Sequence, residues 1–252
     1  MKSEVFNLNV FTNVASRDPS HCLAQHAVRS FFDTFGWESR HRIVTRIFID
    51  PNPNPDRFEP WVATIREALP DIPFELVRTN GMLDGFARSL EVGEGAYAMQ
   101  LEHDFVFVKS RIPHSLDRML EEMRARGIDY LRFNKRRNRP AAYDLGVEPA
   151  GDADFPICRI SGRSNNPHIL DTARYREVVL PLLKRPDGSS VGLEGGLCRY
   201  VGGGYLYGAY GHPRTVGHLD GRRLRFSDGI RRRLYLLGEA VSRRSQRSHT
   251  NG

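Results

Sequence analysis

Gly93-Glu94-Gly95-Ala96-Tyr97-Ala98-Met99-Gln100-Leu101-Glu102-His103-Asp104 is the stretch whose reading decides the fold of this 252-residue chain. A glycine-bearing turn leads into an apolar run that reads as a strand, and the run ends in two acids one residue apart. If the strand continues through them, Glu102 and Asp104 share one face, because side chains at i and i+2 do. In open α/β sheets ligands bind beyond the carboxyl ends of the strands, so an acidic pair there stands at the expected site. Carboxylate oxygens suit Mg²⁺ or Mn²⁺, and such an ion bridges to a diphosphate and neutralises it as it leaves.

Spacing alone does not establish this. With 30 acids in the chain, about three or four acid-x-acid pairs arise by chance, and Asp152-Ala153-Asp154 is a second one. Context separates the two. The second lies in a Gly/Pro/Asp-rich stretch, whereas Glu102 and Asp104 close an apolar strand preceded by a helical pattern and a turn.

Upstream, strand and helix patterns alternate. Glu4–Val14 alternates apolar and polar residues, Ser16–Ser20 supplies loop and cap chemistry, and an amphipathic run ends at Gly36. Ile43–Ile49 is β-branched and apolar, Asp50-Pro51-Asn52-Pro53-Asn54-Pro55 reads as a loop, Phe58–Ala68 as a helix, Phe74–Arg78 as a strand, and Gly81 to about Leu90 as a helix. Downstream, Leu116–Gly127 is an amphipathic helix and Tyr130–Phe133 a short strand. The prediction is an α/β fold: a mostly parallel, mixed sheet flanked by helices in a single domain. Residues 1–133 form its nucleotide-binding half and 134–226 a more irregular acceptor-side half, with a helix over Thr172–Leu183 and turns at Gly202-Gly203-Gly204 and His212-Pro213. Residues 227–252 form a basic amphipathic tail.

Asn80-Gly81, then Ala87-Arg88-Ser89, then the run from Gly93 to Asp104 resemble the family-2-like GT-A glycosyltransferases. Those proteins have an Asn-x-Gly-like loop, a helix with a basic residue, a glycine-tyrosine step and an apolar strand ending in Asp-x-Asp. The match covers Glu4 to Asp104 and is fragmentary beyond; the first acid here is Glu, and the middle residue is His103. The resemblance implies that Asp104 coordinates Mn²⁺ or Mg²⁺ while Glu102 contacts the ribose or a metal-bound water. It places Asp50 against the base or ribose of a nucleoside diphosphate sugar, UDP- or GDP-linked, with Asn80, Arg88 and His103 as further donor contacts. Asp50 reads equally as a turn-capping acid before proline, Asn80 as a turn residue and Arg88 as a solvated helix residue.

An inverting transfer needs a group that takes the acceptor hydroxyl's proton. Glu194, in Val191-Gly192-Leu193-Glu194-Gly195-Gly196, is the candidate; a helix N-terminal acid is the structural alternative, and Asp154 and Asp171 are the substitutes. His218 follows where many metal-dependent GT-A enzymes supply a further ligand, though lone histidines are commonly structural. Ser164-Asn165-Asn166-Pro167-His168 concentrates hydrogen-bonding groups suited to a sugar, so Asn165, Asn166 and His168 are candidate contacts to a glycan or lipid-linked acceptor; the same run also reads as a loop and helix cap.

From Gly221 to Gly252 nine arginines face only Asp228 and Glu239, a surplus equal to the whole net charge of +7. A basic groove spread over the fold is absent from this pattern, so nucleic acid is not an expected partner. Ile230, Leu234, Leu237 and Val241 fall on one helical stripe among these arginines, which suits either an anionic membrane surface or packing on the protein itself. No signal-peptide pattern or membrane-spanning run occurs, and Cys22, Cys158 and Cys198 lack metal-ligand spacing, so the chain reads as cytoplasmic with buried free thiols. Two other functions compete: a sugar nucleotidyltransferase, whose glycine-rich basic loop is missing from Thr12–Ser20, and a non-catalytic glycan- or membrane-binding adaptor on the same fold.

Overall fold

Alternating apolar and polar residues give β1 (Val5–Val14), and Asp18, whose side chain accepts from the Ser20 amide, turns the chain toward α1 (Ala24–Phe31). A computed structural model describes residues 4–37, 39, 41–141, 146–184, 191–193 and 196–219. After α1 a π-helical turn, Phe32–Gly36, leads to β2 (Arg42–Pro53), α2 (Phe58–Ala68), β3 (Phe74–Arg78), α3 (Gly81–Val92) and β4 (Tyr97–Glu102). Then come β5 (Phe105–Phe107), α4 (Leu116–Arg126), β6 (Tyr130–Arg132), β7 (Val147–Pro149), β8 (Ile157–Ile160) and β9 (His168–Asp171). The described chain closes with α5 (Thr172–Val178), α6 (Leu180–Leu183), α7 (Cys198–Val201), β10 (Gly204–Tyr207) and β11 (Val216–His218).

Nine strands form one mixed sheet in the order β3-β2-β1-β4-β9-β6-β10-β8-β7, and β5 pairs with β11 apart from it. The first four strands are parallel, as a strand-helix alternation requires. Beyond β4 the directions mix: β9 runs antiparallel to β4 and β6, whereas β10 is parallel to β6. One core packs β1 residues Phe6, Leu8, Val10 and Val14 with Val28, Phe31, Trp61, Met119 and Met123 from α1, α2 and α4. On the other face Phe11, Phe48, Phe86, Leu90, Leu170 and Tyr175 pack beneath α3 and α5. The fold class read from the sequence is therefore the one observed. The second half is threaded through the first, because β9 lies between β4 and β6.

Three local expectations change. The Pro51–Pro53 segment, read as loop, belongs to β2; the β1–β2 register shifts between Asn13 and Val14, so that Val14 pairs with Pro53. A bulge of this kind tolerates a proline without an amide donor. The Thr172–Leu183 helix is two helices, because Val179 stands between α5 and α6 and Pro181 cannot continue an uninterrupted ladder. Gly204, expected in a turn, starts β10.

Gly95 is required by contact and not by dihedral freedom. A Cβ there would lie 2.2 Å from the Val5 carbonyl oxygen, so only glycine lets the turn before β4 pass close to β1.

The chain divides after Gly217, and of the unit beginning at His218 only His218 and Leu219 are described. The expected boundary at 226/227 and the basic tail, 227–252, lie outside the described residues. Among the described residues no helix is long and apolar enough to cross a membrane. Cys22 and Cys158 are buried free thiols, and burial pushes Cys22 up to about 12.

Candidate active site

The parallel strands β2, β1 and β4 end on one edge of the sheet, and the chain winds from β1 toward β2 and β3 on one side and reaches β4 on the other. Such a reversal of strand order opens a crevice beyond the strand ends. A cleft lies there. The end of β1 contributes Phe11, Thr12 and Asn13, β2 contributes Phe48 and Asp50, and Thr79, Gly81, Met82 and His103 complete the lining. Phe11 stacks on Phe48 with centroids 5.3 Å apart, giving this cleft a rigid aromatic floor.

Asp50 lines this cleft and also caps the turn that follows it. Its Oδ1 accepts from the Asn52 backbone amide and from Asn52 Nδ2, each at 2.9 Å, which fixes the turn. Its Oδ2 faces Gly81, where an added Cβ would come within 3.9 Å. Gly81 holds φ at 84°, the left-handed region that glycine enters without strain, and so begins α3 without a side chain between Asp50 and the cleft.

A second, narrower cleft shares Phe11 and Met82 with the first. Its other walls are Phe86, Gln100, Leu101, Glu102, Asn165, His168 and Leu193. A third hollow continues from it through Phe86, Asn165, His168 and Leu193 toward Tyr130, Arg163, Ser164 and Tyr175. Shared lining residues set the three hollows side by side as a groove near the ends of β2, β1 and β4 and the start of β9.

Glu102 closes β4 and is half-buried in the middle of this groove. The strand stops there, so His103 and Asp104 form a turn and the strand alternation expected to align Asp104 with Glu102 does not extend across it. The His103 amide donates to the Phe11 carbonyl at 2.9 Å, and its Nδ1 lies 3.2 Å from the same oxygen. His103 thereby pins the turn to β1 while lining the first cleft. Asp104 is buried at 6% exposure. It is not among the residues lining the three hollows, whereas Glu102 is; carboxylates of this kind are hard oxygen donors that suit a divalent cation. Among the described residues no group of three His, Cys, Asp or Glu side chains forms a cage. For Mg²⁺-like ions that is ordinary, since one or two carboxylates share the ion with substrate phosphates and water.

The remaining candidates separate into groups. Asn165 and His168 line the groove, whereas Asn166 is 4% exposed and its Nδ2 donates to Asn134 Oδ1 at 3.4 Å, which holds the loop and not a ligand. Asn80 is exposed, with its amide donating to Asp84 Oδ2 at 2.9 Å, and Arg88 pairs with Asp84 at 3.0 Å on the outer face of α3. Neither lines the groove. Asp171 caps α5 by accepting from the Arg174 amide, and Asp154 is exposed in the loop that Asp152 closes. Glu194 lies outside the described residues, although Leu193, one position earlier, lines the groove. His218 is exposed at the end of β11.

Several lining residues escaped the sequence reading. Phe11-Thr12-Asn13 carried a usable signal, since they end the first strand and ligands gather there. Met82, Phe86 and Arg163 carried none, because an apolar helix residue and an arginine in a loop look the same whether or not a cleft adjoins them.

No protein-family model matches the chain, and no curated protein matches it in sequence. Among solved structures it is similar to GalNAc-T7 with UDP, GalNAc and Mn²⁺, at a TM-score of 0.58 and 10% identity over 87% of this chain and 45% of that one. It also matches HddC from Yersinia pseudotuberculosis, at 0.48 and 8% identity over 81% of this chain and 89% of that one. TarS 1-349 of S. aureus in complex with UDP-GlcNAc matches at 0.43 and 13% identity over 68% and 46%. This chain spans less than half the length of the GalNAc-T7 and TarS chains. The likeness to GalNAc-T7 establishes a shared GT-A-type fold.

Proposed function

We propose that this chain is a metal-dependent, inverting glycosyltransferase that moves a sugar from a nucleoside diphosphate sugar to a hydroxyl of a glycan or glycolipid. The observation that carries the proposal is the pair of adjoining hollows at the strand-order reversal, which share Phe11 and Met82, with Asp50 lining one and Glu102 the other. GalNAc-T7, which shares the fold, was solved with UDP, GalNAc and Mn²⁺, and this supports the reading.

In this reading the nucleoside occupies the cleft at the ends of β1 and β2. Asp50 Oδ2 accepts from a ribose or base donor, and the Phe11–Phe48 pair forms the floor. Glu102 and Asp104 hold a divalent cation, whose chemistry is to neutralise the diphosphate as it departs. The sugar extends along the groove toward Asn165 and His168. The acceptor oxygen attacks the anomeric carbon as the bond to the diphosphate oxygen breaks, and the Glu194 carboxylate takes the hydroxyl proton.

A panel of UDP- and GDP-sugars assayed for released nucleotide, with Mn²⁺ and with chelator, tests the proposal. At least one donor is expected to be consumed in Mn²⁺ and spared in chelator. Folded protein that binds and consumes none of them would instead be an adaptor on this fold.

A further inference from the structure

Strand register sets six polar residues in one line across the sheet. Glu75 pairs with Arg46, Arg46 with Asn9, Asn9 with Gln100, Gln100 with His168 and His168 with Arg132. Directly opposed residues share a face, so this row crosses β3, β2, β1, β4, β9 and β6 on the side covered by α3 and α5. Arg46, Asn9, Gln100, His168 and Arg132 are each at most 5% exposed. Buried polar groups in a sheet interior are costly, and of this row only His168 and Gln100 line the groove.

The surroundings of His168 fix its chemical form. Nδ1 lies 2.9 Å from the Asn166 carbonyl oxygen, which only accepts, so Nδ1 carries the proton. A second proton would place a charge beside Arg132, its register partner, and Arg163, which shares the third hollow. Burial opposes the charge as well and pushes the imidazole down to about 3. Nε2 then keeps its lone pair and can only accept; the hollow that His168 lines is otherwise walled chiefly by apolar residues, Phe11, Met82, Phe86, Leu101 and Leu193, with Gln100, Glu102 and Asn165 as its other polar members. An acceptor of this kind selects a ligand that brings a donor, and sugar hydroxyls are donors.

We infer that His168 Nε2 accepts a hydrogen bond from a hydroxyl of the transferred sugar and is a specificity-determining contact for the donor. The inference rests on the nucleotide-sugar reading above. It assigns the transferred sugar, in place of the acceptor first expected, because the cleft lined by His168 adjoins the proposed nucleoside cleft, with Phe11 and Met82 lining both.

Calorimetry of the full chain in Mn²⁺ with UDP, GDP, UDP-glucose, UDP-GlcNAc and GDP-mannose separates the outcomes. The wild type is expected to bind at least one sugar nucleotide more tightly than the matching diphosphate. His168→Leu is expected to weaken that sugar nucleotide about tenfold and leave the diphosphate unchanged, while His168→Gln, which keeps an acceptor, stays within about threefold of wild type. Nitrogen-15 NMR of the wild-type ring, which needs no variant to fold, is expected to show the proton on Nδ1. Equal weakening of diphosphate and sugar nucleotide, no weakening of either, an effect on the acceptor's KM alone, or a proton on Nε2 would overturn the inference while leaving the broader reading intact. A wild type that binds no nucleotide would overturn both.

Discussion

Replacing Asp104 by Asn is expected to lower sugar transfer by on the order of 10²–10³-fold, with Glu102→Gln losing less and regaining part of its activity at high Mn²⁺. Both substitutions conserve volume and remove a charge, so the loss falls on the electrostatics of the departing diphosphate and not on packing. The two acids differ in setting: Asp104 is 6% exposed in the turn after β4, whereas Glu102 is half-buried in the groove wall. A ligand in the more enclosed place is harder to replace by water. Asp152→Asn is the matched control, since Asp152 belongs to the other acid-x-acid pair and is tied to Arg126 at 2.6 Å in an exposed loop. It is expected to leave transfer unchanged. Initial rates with a saturating donor, beside thermal unfolding of each variant, make the comparison. Asp104→Asn with normal activity would remove the acid pair from the mechanism.

The largest effect on stability is expected at Arg163, which is 5% exposed. Its NH2 donates to both Asp129 oxygens, at 3.2 and 3.0 Å, its NH1 to the Tyr175 hydroxyl, and its Nε to the Gly202 and Gly203 carbonyls. Its guanidinium also stands 4.8 Å from the Tyr130 ring centroid. One side chain therefore joins the chain before β6, the loop before β9, α5 and the entry to β10, and it forms part of the third hollow. Asp129→Ala leaves that cation buried without its acid, a change that costs about 3 kcal/mol where one partner of a buried pair is removed. Arg163→Met together with Asp129→Ala is expected to be less destabilising than Asp129→Ala alone, because the uncompensated charge disappears. Urea unfolding of the wild type, the two single variants and the double variant reads this directly. A double variant less stable than the wild type by the full sum of the Asp129→Ala and Arg163→Met effects would show that the pair is not coupled.

How much of this was legible in the sequence depended on the range of the interaction. The helices α2, α3 and α4 and the strands β1 to β4 follow from periodicity, which acts over a few residues. The placement of β9 between β4 and β6 does not, since its pairing joins residues some seventy positions apart in sequence and no local pattern encodes it. For the same reason the polar row was invisible: Gln100 and Arg132 read as single interruptions of separate apolar strands until the register aligned them with His168. Glu102 could be placed beyond a strand end because it closes β4, whose direction the alternation fixes, and it lines a hollow there; Asp50, read through the resemblance, lies inside β2 and lines the neighbouring hollow. Arg88 was read from a motif in which helix exposure was undetermined; the structure ties it to Asp84 on the solvent side.

Binding of UDP and GDP measured by calorimetry in Mn²⁺ and in chelator, for wild type and Asp104→Asn, tests the acid-bound cation most directly. The expected result is that Mn²⁺ tightens binding of one diphosphate to the wild type by about tenfold or more, and that Asp104→Asn abolishes the gain. Affinity that is the same with Mn²⁺, with chelator and in the variant would contradict a cation held between Glu102, Asp104 and the diphosphate.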